Sequence, residues 1–329
     1  MKELKTNVTI QNVWEARKRM SSIISKTPAV ESFILSEKVG RPVYLKLETV
    51  HDTGAFKVRG AANKILSLTE EERKRGVATY STGNHGMAVA YVAKKLGIKA
   101  TVCISNRVPK AKVDSLKRLG AFIEFCGESQ DEAGERCLVL ERKHGLTVIE
   151  PFDDPEVIAG QGTIGLELLE DIPALKDVVV PLSGGGLLSG IGMVLKTNDP
   201  SIGITGVSMV ESAVMYESLR AGKPIKMPEK DTLADSLLGG IGMDNRYTFD
   251  MVQKYMDRAV LIPEDEIAQS MAFMIDHHRM IIEGAAATGI AALLGNHIEY
   301  KDGAIAVIIT GHNVDLSVVQ RILNTYNPA

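Results

Sequence analysis

The strongest constraint on this chain is an alternation. Short β-rich runs, several of them continuously apolar, take turns with helical patterns almost from end to end. The apolar and β-branched runs predict strands at 43–46, 77–80, 100–104, 121–125, 147–149, 178–181, 204–210, 260–262 and 304–309. A strand with no polar face is buried on both sides, as in a parallel sheet covered by helices. Helical patterns fall between the strands, at 10–25, 84–96, 109–119, 130–144, 155–169, 263–277 and 284–295. Thr9 is placed to cap the first of these and Pro109 to open another in its favoured first turn. The alternation predicts an α/β fold with parallel sheets. No internal repeat or low-complexity linker marks a domain boundary.

Charge and composition exclude other classes. The 38 Lys and Arg against 41 Asp and Glu give a net charge of -3, so no nucleic-acid partner is expected. The N-terminus lacks the apolar core of a secretory signal. Cys103, Cys126 and Cys137 have no metal-ligand spacing, so free or buried thiols and a cytoplasmic location are expected. The uncharged stretch 178–195 is long enough to raise a membrane span, but a glycine triplet in its middle reads as strand, turn and helix. No membrane partner is expected.

In such folds ligands bind where strands end and loops lead into helices. Four loops carry unusual residues. In the first, Lys57 follows Phe56 at the head of an apolar helical run. A buried lysine loses its charge more easily and attacks carbonyls, although on this segment alone a surface lysine is the favoured reading. The second is Ser81, Thr82, Gly83, Asn84, His85 and Gly86, where amides at a helix start make an anion site and Asn84 offers a side-chain amide; alone it reads equally as a helix N-cap with a glycine turn. The third is Ser183, Gly184, Gly185, Gly186 and Leu187. Three glycines before a helix suit a phosphate, and a plain turn would not need three. Neither a Walker loop nor a GxGxxG spacing is present. In the fourth, Thr310 ends the last strand, and His312 beside it reads as polar surface.

A reactive lysine, a phosphate cup, an amide donor and a neutral hydroxyl together suit pyridoxal phosphate. The segments GAFKVRGAANKI, STGNHG, PLSGGGLLSGI and ITGHNVD run from residue 54 to residue 315. In them the chain resembles the fold type II pyridoxal-phosphate enzymes, the group of threonine and serine dehydratases, serine racemase and tryptophan synthase β. The resemblance implies two doubly wound parallel-sheet domains: a large cofactor-binding domain from 1–50 and 151–329, and a small mobile domain from 51–150. It implies that Lys57 holds the cofactor with Phe56 beside its ring, and that Asn84 bonds the phenolic oxygen. Backbone amides of Ser183, Gly184, Gly185, Gly186 and Leu187 would take the phosphate, and Thr310 would face the pyridine nitrogen. Ser81, Thr82, Gly83 and His85 would bind the carboxylate of a small amino-acid substrate. The implied activity is loss of the β-hydroxyl from a threonine- or serine-class amino acid, giving a 2-oxo acid and ammonia. A homodimer is favoured, and no C-terminal regulatory domain is expected.

Two readings compete with it. One is a racemase of the same fold, weakened because Thr82 stands where serine racemase has a serine. The other is nucleotide binding through the glycine loop without covalent chemistry. A divalent-cation site implied at Glu211, the Met215 carbonyl and Glu217 reads better as an ordinary helix start, so no metal is expected. FDDPEVIAGQGTIGLELLED, MYESLRAGKP and TLADSLLGGIGMDNRYTF are similar to the dehydratase branch of hydroxyectoine utilisation.

Overall fold

The computed structural model of the chain describes residues 8–108, 110–128 and 130–326. Its strands are β1 (Ala29–Glu31), β2 (Val43–Leu47), β3 (Val77–Thr79), β4 (Ala100–Ile104), β5 (Phe122–Phe125), β6 (Thr147–Val148), β7 (Leu175–Pro181), β8 (Gly203–Met209), β9 (Arg258–Ile262) and β10 (Ala304–Ile309). They form a six-stranded sheet in the order β1-β2-β10-β7-β8-β9 and a four-stranded sheet in the order β5-β4-β3-β6. The smaller sheet is wholly parallel. In the larger, only β1 on β2 is antiparallel. This is the α/β fold with parallel sheets that the alternation predicts.

Burial explains the pattern. β7, β8 and β10 lie between helices, and Val178, Val179, Val180, Ile204, Val207, Ile305, Val307 and Ile308 are fully buried. The helices Gly284–Leu294 and Gly186–Asn198 each bury nearly every residue. Helix Lys57–Ser67 packs against both Asn84–Leu96 and Pro155–Asp171, so it joins the surroundings of the two sheets.

Several boundaries differ from expectation. The first helix ends at Met20 rather than 25, with its chain turning over the following residues. β7 begins at Leu175, because past a register shift at Lys176 the ladder continues with Asp177 although it is charged: Asp177 is buried and takes Arg258 Nη2 at 2.7 Å. β9 likewise starts at Arg258. Strand β1 and the helices Phe33–Val39, Glu70–Arg75 and Thr248–Tyr255 are too short to stand out by periodicity. The helix expected at 109–119 is found over Lys110–Arg118, and Pro109 lies outside the described residues. Thr9 caps the first helix as expected, in a reciprocal pairing with Asn12.

Among the described residues, no helix is long and apolar enough to cross a membrane. Cys103 and Cys137 are buried, and Cys126 is half-buried.

Candidate active site

Topology brings the loops together. β10 lies between β2 and β7, all three parallel, with Ile309 beside Leu47 and Val307 beside Val179. Their carboxyl ends therefore share one edge of the sheet. Thr310 follows β10 there, and the glycine loop follows β7. The β-bridge Ala55–Gly311 and the bond from the Phe56 amide to the Thr310 carbonyl at 3.0 Å tie the Lys57 segment to the same edge.

Lys57 starts its helix, and its Nζ donates to the Pro151 carbonyl at 2.7 Å, 5.1 Å from the centroid of the Phe56 ring. Burial lowers this amine to about 8, against a partial upward pull from Glu283. It is therefore far easier to deprotonate than a surface lysine, as a carbonyl-attacking amine requires. Two residues on, Arg59 is fully buried and forks between Glu48 and Glu167, with Lys46 also on Glu167 at 2.7 Å. Burial alone would raise the Glu48 carboxyl, but Arg59 and His51 hold it well below the usual carboxylate range. This cluster pins the first turn of the Lys57 helix to β2 and to helix Pro155–Asp171.

The second loop follows β3. Gly83 stands at the N-cap of helix Asn84–Leu96, and Gly86 has no room for a side chain because the Ser81 carbonyl lies over it. Ser81, Thr82 and Gly83 are half-buried at the helix start, where amides lack intrahelical partners. His85 turns inward: Nε2 meets the Ile149 carbonyl at 2.8 Å and Nδ1 is buried with no partner among the described residues. Burial, with Lys57 nearby, lowers this imidazole to about 3. It is neutral, with its proton on Nε2 because a carbonyl only accepts. Its ring can thus offer a carboxylate no donor, and any contribution would come from the backbone amide.

The third loop corrects one expectation. A plain packing reason already requires all three glycines. The Phe152 ring lies against Gly184, the Phe152 carbonyl would be 2.8 Å from a Cβ at Gly186, and Gly185 has φ +85° with Val252, Met215 and Thr248 around it. The glycines are thus no proof of a ligand by themselves. They do bring Ser183 to Leu187 to the start of helix Gly186–Asn198.

In the fourth loop, Thr310 is 2% exposed and its Oγ1 has no hydrogen-bond partner among the described residues. A buried hydroxyl without a partner is costly and calls for an explanation. His312 is exposed. Glu211 pairs with Lys230 and Glu217 with Arg220, and Met215 is packed in the core.

Four residues at this site escaped sequence reading: Pro151, Phe152, Glu283 and Asn313. Asn84 Nδ2 donates to both Glu283 oxygens at 3.0 Å, and Asn313 Nδ2 donates to Asn84 Oδ1 at 2.7 Å. Pro151 and Phe152 receive the amine and back the glycine loop, respectively. Phe152 and Asn313 lie in the quoted segments FDDPEVIAGQGTIGLELLED and ITGHNVD without being singled out there, and Glu283 stands as a lone acid directly before the apolar run 284–294.

The amine, the glycine loop and the orphaned Thr310 hydroxyl fit pyridoxal phosphate by its aldehyde, phosphate and ring nitrogen. The comparisons agree in class. Residues 20–311 match the family described as pyridoxal-phosphate dependent enzyme, and the chain belongs to it. It is 43% identical over 98% of its length to a protein of Sinorhizobium fredii provisionally named a threonine dehydratase, 97% of which is covered. It is 40% identical to the L-threonine ammonia-lyase of Thermotoga maritima, over 96% of this chain and 78% of that one. Among solved structures, maize serine racemase superposes with a TM-score of 0.90 at 32% identity, covering 97% of each chain.

Proposed function

We propose that this enzyme removes the β-hydroxyl and the amine of a threonine- or serine-class amino acid, giving a 2-oxo acid and ammonia. The observation that carries the reading is the Lys57 amine, lowered by burial to about 8, on a segment tied through Phe56 to Thr310, whose hydroxyl has no partner among the described residues. Bound pyridoxal phosphate supplies an electron sink for the pair left at the substrate Cα. The chain's own groups do the rest. Lys57 would hold the aldehyde carbon and, when free of it, would take the Cα proton on Nζ. Amides of Ser183, Gly184, Gly185, Gly186 and Leu187 receive the phosphate at a helix N-terminus. Phe56 lies beside the ring, Asn84 donates to the phenolic oxygen, and Thr310 Oγ1 meets the ring nitrogen. The amides and hydroxyls of Ser81, Thr82, Gly83 and His85 receive the substrate carboxylate. Residues 51–150 close over the rest.

Within this class we place the chain with hydroxyectoine utilisation, as a cytoplasmic homodimer. The segments MYESLRAGKP and TLADSLLGGIGMDNRYTF support that branch. The likeness to maize serine racemase supports a second reading, amino-acid racemisation. Against it, Thr82 is β-branched and more restrained than a serine base would be.

The test is a substrate panel of threonine, serine, 3-hydroxyaspartate and hydroxyectoine-derived amino acids. 2-Oxo acid release that Lys57→Ala abolishes is expected. Appearance of the other enantiomer without 2-oxo acid would replace the lyase by a racemase.

A further inference from the structure

Glu283 belongs to no loop singled out by the sequence, yet it touches three parts of the site. It is 2% exposed and stands at the N-cap of helix Gly284–Leu294. Its amide donates to the Gly311 carbonyl at 3.1 Å, and its carboxylate lies against the Gly311 backbone, where a Cβ would come within 2.9 Å. Both its oxygens take Asn84 Nδ2 at 3.0 Å. On the other side of that amide, Asn84 Oδ1 takes Asn313 Nδ2 at 2.7 Å.

These contacts leave Asn84 one orientation. Flipping the amide would set Oδ1 against the carboxylate and Nδ2 against another amide nitrogen, losing two hydrogen bonds and adding repulsion. Nδ2 carries two hydrogens, and Glu283 occupies one direction, so the other remains for a ligand oxygen.

The geometry points to Glu283 as the positioning residue of this site: from inside the fold its carboxyl group fixes the Asn84 amide. The inference rests on the reading of Lys57 as the lysine that holds pyridoxal phosphate. Burial raises the Glu283 carboxyl to about 7, and its charge in turn raises the Lys57 amine. Other groups face Glu283. Asp235 lies close on the 3-10 turn Asp235–Leu237. Across a cavity of about 300 Å³ stand Lys112, Asp231, Glu264, Asp315 and Arg321. Asp235 is shared with Lys112 at 4.0 Å, so the buried carboxylate is the one in contact with Asn84.

The experiment compares substrate-free holoenzyme of the parent, Glu283→Gln and Glu283→Ala, with folding checked by circular dichroism. The visible band of the cofactor on Lys57 is titrated with pH, and cofactor affinity is measured by fluorescence. Loss of a neighbouring anion disfavours a cation, so the midpoint should fall by about one pH unit or more in either folded variant. Glutamine still accepts from Asn84 and should keep affinity within about twofold. Alanine frees the amide and should weaken it about tenfold. An unchanged midpoint in a folded variant, or parental affinity in Glu283→Ala, overturns the inference and leaves the lysine reading intact. A parent protein without a borohydride-sensitive band overturns both.

Discussion

The Phe152 ring lies against the Cα of Gly184 so closely that a side-chain carbon there would fall inside it. The next obstacle, at Gly186, is the Phe152 carbonyl, which is backbone. The two glycines should therefore respond differently to relief. Gly184→Ala and Gly186→Ala should each cost about 1–3 kcal/mol by overpacking. Phe152→Ala should recover much of the first cost and little of the second. Denaturant titration of the two double-mutant cycles measures this, and equal rescue would mean the backbone at Phe152 yields freely.

Thr310→Val should separate folding from cofactor binding. The hydroxyl has no partner among the described residues, so its removal should leave apoprotein stability unchanged or raise it by up to about 1 kcal/mol. Cofactor affinity should fall about tenfold if Oγ1 meets the ring nitrogen. Thermal melts of apoprotein and fluorescence titration of cofactor report the two effects. Unaltered affinity would remove Thr310 from the site.

Cofactor uptake should follow the neutral fraction of Lys57. With the amine at about 8, uptake by apoenzyme should rise about tenfold per pH unit below that value and level off above it. A surface-like lysine would keep accelerating to about 10.5. Stopped-flow absorbance across that range distinguishes the two.

Glu48→Gln should leave buried Arg59 and Lys46 to share Glu167, and cost up to about 3–5 kcal/mol at neutral pH. Arg59 holds the Glu48 carboxyl below its ordinary value of 4.5, so the pair's contribution is whole above about pH 4.5. It is lost as the pH falls through the folded-state value. The stability gap between parent and variant, read from urea midpoints, should narrow in acid. A constant gap would mean that the charge on Glu48 does not matter.

The sequence by itself determined the fold class and the four loops, because both are local. An unbroken apolar strand can only be buried on two faces, and a glycine triplet or a lysine after Phe56 is visible without neighbours. Strand β10 was legible to the residue, since every one of its side chains is apolar. The sequence misled where a tertiary partner overrides composition: Asp177 belongs to β7 because Arg258, distant in the chain, neutralises it. Only the tertiary structure decided why the glycines are there, since the reason for Gly184 and Gly186 is a ring and a carbonyl from Phe152. It also decided that the His85 ring faces inward and that Asn84 is held between Glu283 and Asn313. Those roles depend on distances and burial across separate elements, and an amide's direction or a carboxyl's charge is set by what surrounds it, not by the residues on either side.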